Sequence, residues 1–286
     1  MFETIVAIFL RIISNPIANS AQKALAGCYP ARYINFLSYS IMALATIPFA
    51  IKINWAQYSL DFWLYVVLAG FLCALGTNCL IKALSLGELS IVAPINSYKC
   101  VIGLVSGFFV LGEIPSLTSI VGLALIVWGS RELFKETKSG FSFQLFKEEY
   151  FRLRIYALIL TGIEASFLKK IIIISSPMES FILWVFSGAI FTFLFLLAGE
   201  KTKFKNTLAP KNIALLITIP IMLSIMQIST NYVFEKIEVS LALALFQLSS
   251  IVSLIFGIVF FKEKNIKQKL IGTILMIIGA IIILIN

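Results

Sequence analysis

Five stretches of about 20 residues contain no charged side chain, and no other feature limits the fold so strongly. An α-helix needs about 20 apolar residues to cross the hydrocarbon core of a bilayer. Charged residues make up only 13% of the chain, against roughly 25% in soluble domains. The sequence therefore predicts an all-α integral membrane protein, with uncharged runs at Tyr33–Ile51, Phe62–Ile81, Ser180–Gly199, Asn212–Phe234 and Val239–Phe261.

The stretch Leu89–Glu113 occurs a second time as Val239–Glu263, at an offset of 150 residues. The register continues without a gap into the following span. Self-similarity at one fixed offset predicts an internal duplication. The coinciding pairs are Ser90 and Ser240, Gly107 and Gly257, Glu113 and Glu263, Gly122 and Gly272, Leu125 and Leu275, and Gly129 and Gly279.

The apolar segments predict ten transmembrane helices arranged as two five-helix repeats. Residues 1–133 form the first repeat, residues 134–152 a charged surface linker, and residues 153–286 the second repeat. Because five is odd, the second repeat enters the membrane from the opposite side, so the repeats are inverted and a shared site lies near the midplane. The predicted spans are 2–24, 32–51, 62–84, 89–111, 116–133, 153–174, 178–199, 212–235, 238–261 and 266–285.

Lysine and arginine are distributed unevenly between the two membrane faces. Seventeen lie on the side of the linker and four on the other side, when Lys169 and Lys170 are counted there. Cytoplasmic loops carry an excess of these residues. We therefore expect a multi-pass protein of the plasma or inner membrane, with residues 134–152 in the cytoplasm and both termini outside.

Composition also excludes several classes of function. The chain has no histidine, which removes Ser-His-Asp and Cys-His catalysis and every histidine-dependent metal site. Its four cysteines lack metal-ligand spacing. The net charge of +9 arises in the loops between spans, as topology requires. We expect no enzyme, no metal or other cofactor and no nucleic-acid partner, but a small-molecule substrate and the lipid bilayer.

Polar side chains recur on one face of several predicted spans. Arg11, Asn15 and Asn19 follow one another at i+4 spacing in the first span and so share a face. Asparagine facing lipid would leave its amide unsatisfied, so such residues are candidates for an internal site. Further candidates are Asn78 in the third span, Gln227 and Asn231 in the eighth, and Gln247 in the ninth.

Charges near the middle of a span are the strongest candidates, because a charge within the membrane is costly and usually functional. Lys99 shares a face of the fourth span with Asn96, and Glu164 lies near the middle of the sixth. One interpretation is a structural Lys–Glu or Arg–Glu pair that cancels charge. The other is a hydrated cavity whose surplus positive charge binds an anionic group. A further alternative for Arg11 is that its side chain extends to the nearer membrane interface, where the guanidinium meets water.

The fifth and tenth spans carry no internal charge, only heptad-spaced glycines. These are Gly122 and Gly129 in the fifth span and Gly272 and Gly279 in the tenth. Small residues at this spacing favour close helix packing. We expect these spans to be peripheral scaffold or the contact of a homodimer.

The duplicated signature resembles the EamA-type family of the drug/metabolite transporter superfamily. In each repeat an acidic residue ends the fourth span and a Gly-x6-Gly span follows. The residues that carry the resemblance are Leu111, Gly112 and Glu113 with Gly122 and Gly129, then Phe261, Lys262 and Glu263 with Gly272 and Gly279, and also Arg32 after Pro30.

This resemblance implies alternating access around a central cavity lined by spans 1, 3, 4, 6, 8 and 9, with spans 5 and 10 at the edge. Two features depart from the family pattern. Lys262 stands where the first repeat has Gly112. The termini are expected outside, whereas studied members have them in the cytoplasm.

We therefore predict a secondary active transporter, an exporter, of a small polar metabolite such as an amino acid or related carboxylate. Lys99 and Arg11 would bind the anionic group and Glu164 would balance the charge. Polar residues such as Asn78, Asn96, Asn231 and Gln247 would orient the solute. The alternatives are a flippase for a lipid or lipid-linked head group, and a sugar-phosphate or nucleotide-sugar transporter of the same fold.

Overall fold

A computed structural model describes residues 2–87, 96–132, 147–198, 210–261 and 270–285, and within them every regular element is helical. Two 3-10 turns, Trp55–Gln57 and Asn96–Tyr98, accompany eleven α-helices. The helices are α1 Phe2–Ala26, α2 Ala31–Ala50, α3 Leu60–Leu86, α4 Lys99–Leu111, α5 Leu117–Glu132, α6 Glu149–Ile174, α7 Pro177–Leu197, α8 Pro210–Lys236, α9 Val239–Phe246, α10 Ser249–Phe261 and α11 Leu270–Ile285.

Five helices in the described part of the chain are long and apolar enough to cross a membrane. Many large apolar side chains point away from the protein, for example Phe109 at 78% exposure. Such exposure suits a lipid solvent, in which the backbone bonds of a helix are satisfied internally. The five segments are Phe2–Ala26, Ala31–Ala50, Leu60–Leu86, Pro177–Leu197 and Asn212–Lys236.

The helical segments follow the predicted spans within a few residues, with differences in the fourth and ninth. The predicted span 89–111 begins in residues that lie outside the described part, and its α-helix starts at Lys99. The predicted span 238–261 is two helices, α9 and α10, separated by a turn at Gln247 and Leu248. Most of the predicted linker 134–152 lies outside the described residues, while 149–152 form the first turn of α6.

The principal helix contacts join the first half of the chain to the second. The closest pairs are α3 with α6, α1 with α8, α2 with α7, and α5 with α11. Small residues allow several of these approaches. Gly76 of α3 packs directly on Thr161 of α6, and Gly188 of α7 packs on the ring of Tyr39 in α2. The two halves therefore form one body whose interior is their shared surface.

The predicted glycine faces meet each other within the chain. A Cβ on Gly122 of α5 would lie 2.7 Å from the carbonyl oxygen of Gly279 in α11. A Cβ on Gly129 would lie 2.5 Å from that of Gly272. Only glycine permits such backbone contact. A homodimer through these two helices stays a prediction, and it would use faces other than the glycine faces.

Candidate functional site

A cavity of about 110 Å³ lies between the two halves of the chain. It has room for several water molecules or a small organic solute, since one water needs about 10–15 Å³ of such space. Side chains from α1, α2, α3, α6, α7, α8 and α9 line it, together with Asn96 and Lys99. Helices α2 and α7 were not among the spans that the family resemblance implied.

Seven of the ten predicted site residues line this cavity. They come from four separate spans in both halves, so only the folded chain brings them together. The seven are Arg11, Asn15, Asn19, Asn96, Lys99, Glu164 and Gln227.

Arg11 lines the cavity and is buried there. Its residue is 9% exposed, and Nε donates to Oγ1 of Thr230 at 2.9 Å. The guanidinium carbon lies 5.0 Å from the centroid of the Phe246 ring, within cation–π range. Among the described residues Nη1 is buried without a hydrogen-bond partner. A buried donor of this kind is costly unless a ligand or water satisfies it.

Lys99 is placed by the start of α4. The 3-10 turn Asn96–Tyr98 comes immediately before it, so Lys99 is the first residue of the α-helix. It is attracted electrostatically by Glu164 and repelled by Arg11 and Arg154. No ion pair joins it to a carboxylate in the described part of the chain. Lys99 therefore lines the cavity without the Lys–Glu ion pair of the first interpretation.

Glu164 is held by an aromatic neighbour. The residue is 6% exposed, and Oε1 accepts a hydrogen bond from Nε1 of Trp184 at 3.1 Å. The Trp184 ring packs on Tyr39 with centroids 4.9 Å apart, and the Tyr39 hydroxyl lies 3.0 Å from Sγ of Cys73. This network fixes the carboxylate of Glu164 at the cavity wall.

The other three predicted site residues do not line the cavity. Asn231 is fully buried, accepts from Nε2 of Gln227 at 2.8 Å and donates to the carbonyl of Pro177 at 3.0 Å. Gln247 lies at the turn between α9 and α10, where Nε2 donates to the carbonyl of Leu243 at 3.2 Å. Asn78 is half-buried on α3. The side chains of Asn231 and Gln247 thus donate hydrogen bonds to backbone carbonyl groups of the protein.

The structure also adds residues that the sequence reasoning missed. Arg154 was counted with the loop cations, but it is 5% exposed and lines the cavity. It lies seven residues before Thr161 and ten before Glu164, on one face of α6, and this spacing was an available signal. Tyr39, Trp184 and Phe246 resemble ordinary apolar residues of a span in the sequence, so nothing marked them as cavity residues.

Within the described ranges no three His, Cys, Asp or Glu side chains come together in a way that would hold a metal ion. The arrangement is a polar, cationic cavity enclosed by apolar helices. Its charged, amide and hydroxyl groups are of the kind that fix the orientation of a small polar ligand in protein cavities.

Comparison with known proteins identifies the family of the chain. A family model described as the EamA-like transporter family matches residues 5–131 and again 153–285. No curated protein matches the chain. A solved crystal structure, titled only as that of a protein, aligns with a TM-score of 0.73 at 13% identity, over 98% of this chain and 94% of that one, and shows a shared fold alone. The two family matches span nearly the whole sequence, and the chain belongs to the EamA-like transporter family, whose members are multi-pass membrane proteins.

Proposed function

We propose that the protein is a secondary active transporter, working as an exporter, for a small polar metabolite that carries a carboxylate, such as an amino acid. The observation that carries the proposal is the cavity between the halves, with Arg11, Lys99 and Glu164 on its wall. The guanidinium and the ammonium bind the carboxylate of the solute, while Glu164 faces an amino group or balances the remaining charge.

Transport would occur by alternating access between two inverted five-helix repeats, residues 1–133 and 153–286. The helix pairing supports this symmetry. In the two repeats α6 is equivalent to α1, and α3 is equivalent to α8. The contact of α1 with α8 therefore has a counterpart in the contact of α6 with α3, and both contacts are extensive. In addition, α4 starts at Lys99 and α10 at Ser249, which are equivalent positions of the 150-residue offset. Such symmetry lets the cavity open first to one face and then to the other.

The orientation rests on charge. The excess of lysine and arginine on the face of residues 134–152 supports a cytoplasmic position for that face. Both termini then lie on the side of the membrane opposite to the cytoplasm. A tag-accessibility assay on intact cells tests this part of the proposal, and cytoplasmic termini would overturn it.

The decisive experiment is a thermal-shift screen of purified protein against amino acids, dicarboxylates and sugar phosphates. A ligand stabilises by mass action in proportion to how far its concentration exceeds Kd. The screen is repeated with Lys99→Ala and Arg11→Gln, and with Lys82→Ala as the matched control, because Lys82 has a side chain 51% exposed on α3. We expect the ligand shift to disappear in the first two variants only.

Uptake of that ligand into proteoliposomes completes the test. Normal expression and unimpaired transport by Lys99→Ala would remove the binding role of the lysine. Movement of a labelled lipid without any movement of soluble solutes would instead indicate a flippase.

A further inference from the structure

Glu113 joins three separate elements at one membrane face. Its Oε1 pairs with Nζ of Lys169 on α6 at 2.5 Å, and its Oε2 accepts the backbone N–H of Val239, the first residue of α9, at 2.9 Å. Lys169 also donates to the carbonyl of Ile237, between α8 and α9, at 2.7 Å. We call these four residues the Glu113 clamp. Because Glu113 belongs to the first half of the chain and the others to the second, the clamp joins the two halves.

Two glycines shape the clamp. Gly112 has a φ of 71°, in the left-handed region that favours glycine, and it ends α4 so that the chain turns back. Gly107, five residues earlier, faces the carboxylate, and a Cβ there would lie 3.1 Å from Oε2 of Glu113. The turn and the missing side chain let the carboxylate fold back towards its own helix and reach α9.

The clamp is shielded from solvent. The side chain of Lys169 is 10% exposed and that of Glu113 is 13% exposed. A charge left unpaired in such surroundings is costly, so neither residue gives up its partner unless water enters. The carboxylate also lies at the N-terminus of α9, where an anion is favoured by the helix dipole. These contacts keep the pair closed in the observed conformation.

Helix α9 connects the clamp to the cavity. The clamp holds its first residue, Val239, and its last residue, Phe246, lies beneath the guanidinium of Arg11. Eight residues of α-helix make a rigid rod of about 12 Å. The turn at Gln247 and Leu248 then separates α9 from α10, so the two helices are not one continuous α-helix. One end of this rod therefore lies in the clamp and the other at the cavity.

We propose that the Glu113 clamp is the gate that closes the cavity towards the face bearing the N-terminal end of α1, and that α9 is the element that moves when the gate opens. This inference rests on the proposed transport function. The clamp lies on that face because it holds the ends of α4 and α6 and the start of α9. The same face carries the contact between Tyr232 at the end of α8 and Glu3 at the start of α1.

The test measures water access to the cavity and needs no substrate. A chain with its four cysteines replaced by alanine receives one reporter, Thr161→Cys, at the cavity wall. Sealed vesicles of each orientation are treated with a membrane-impermeant maleimide. A second chain with Gln57→Cys, an exposed residue of the 3-10 turn between α2 and α3, identifies the face under study.

We expect Glu113→Gln to raise the labelling rate of the reporter from that face by roughly tenfold, within the usual range of conformational coupling. Lys169→Met should act in the same direction and preserves the bond from Val239 to Glu113. The matched control is Glu149→Gln, which breaks an exposed ion pair with Lys82 on the opposite face and should leave this rate unchanged. Size-exclusion profiles establish that each variant is folded.

Unchanged labelling from this face in both clamp variants would overturn the gate. An equal rise in the Glu149→Gln control would overturn it as well, because any contact between the halves would then have the same effect. Labelling of the reporter from the opposite face, in the chain with an unchanged Glu113 clamp, reports separately on whether the cavity reaches water. Its absence would count against the transport proposal itself.

Discussion

Gly162→Ala tests whether the spacing of two helices positions the cavity lysine. Gly162 of α6 packs against Ile102 of α4. A Cβ at position 162 would lie 2.7 Å from Cγ2 and 2.8 Å from Cβ of Ile102. Ordinary contact begins at 3.4 Å, so the helices must separate locally by about 0.7 Å. Ile102 is β-branched and its Cβ is fixed to the backbone, so a rotamer change does not relieve the contact.

The expected cost has two parts. Overpacking of this kind destabilises by about 1–3 kcal/mol. The same movement displaces Lys99, which is three residues earlier on α4 and whose Cγ would lie 3.6 Å from the new methyl group. A misplacement approaching 1 Å at a positioned charge lowers its effect by up to about 100-fold. We therefore expect lower stability and at least about tenfold weaker ligand binding, although no polar group is removed.

The measurement is the apparent melting temperature of purified protein by intrinsic tryptophan fluorescence, followed by ligand titration. Gly27→Ala is the matched control, because the nearest other atom to its Cβ would be the carbonyl oxygen of Ala24 at 3.7 Å. If Gly162→Ala melts at the same temperature as Gly27→Ala and binds ligand normally, the spacing of α4 and α6 does not position Lys99.

Four further changes test the packing and the site. Gly279→Ala places a Cβ 2.5 Å from the carbonyl oxygen of Gly122, and we expect a loss of about 1–3 kcal/mol in the unfolding free energy by detergent titration. Asn231→Ala leaves the amide of Gln227 without its acceptor, and should cost about 1–3 kcal/mol in the same assay while ligand affinity stays nearly unchanged. Arg11→Lys keeps the charge but loses the planar guanidinium, and we expect the ligand Kd, measured by titration, to rise at least about tenfold. Tyr58→Phe removes the 2.7 Å bond to Glu179. Burial and that carboxylate raise the pKa of Tyr58, so the bond's contribution to melting temperature should be present below the ordinary tyrosine pKa of about 10 and be lost as pH rises past the raised pKa.

The helices could be predicted because the membrane leaves few alternatives. A backbone in hydrocarbon must satisfy its own hydrogen bonds, so each long apolar run becomes a helix. The glycines of α5 and α11 were recognisable for a similar reason, since helices in lipid associate through small residues. Their direct partners were not predictable, because heptad spacing identifies a packing face without naming what packs on it.

The break between α9 and α10 left no signal in the sequence. Neither proline nor glycine stands at Gln247 or Leu248, and the surrounding residues read as one apolar span. The turn is satisfied locally, by the bond from Nε2 of Gln247 to Leu243 and by the bond from the amide of Ser250 to the carbonyl of Gln247. Gln247 was predicted to face a solute, whereas it supports the bend.

The residues of the predicted polar stripes have different surroundings in the structure. Arg11 and Asn15 lie at the cavity, while Asn231 on an equally polar stripe binds the backbone of α7. A buried amide needs hydrogen-bond partners in either case. Sequence spacing shows that such a side chain points inward, but only the packed neighbours decide whether it meets solvent or protein.

The two halves share one helical arrangement but differ in charge at one pair of equivalent positions. Lys99 and Ser249 occupy equivalent positions, and each is the first residue of an α-helix that follows a short turn. Ser249 accepts a bond from Nδ2 of Asn15 at 3.4 Å, where a second lysine would add another cation near Arg11. Like charges in a medium of low dielectric constant repel strongly, so a second ammonium would add to the cost of burying the cations already present. The duplication therefore supplies the symmetry that the proposed alternating access requires, and the divergence at this pair makes one half of the chain more cationic than the other.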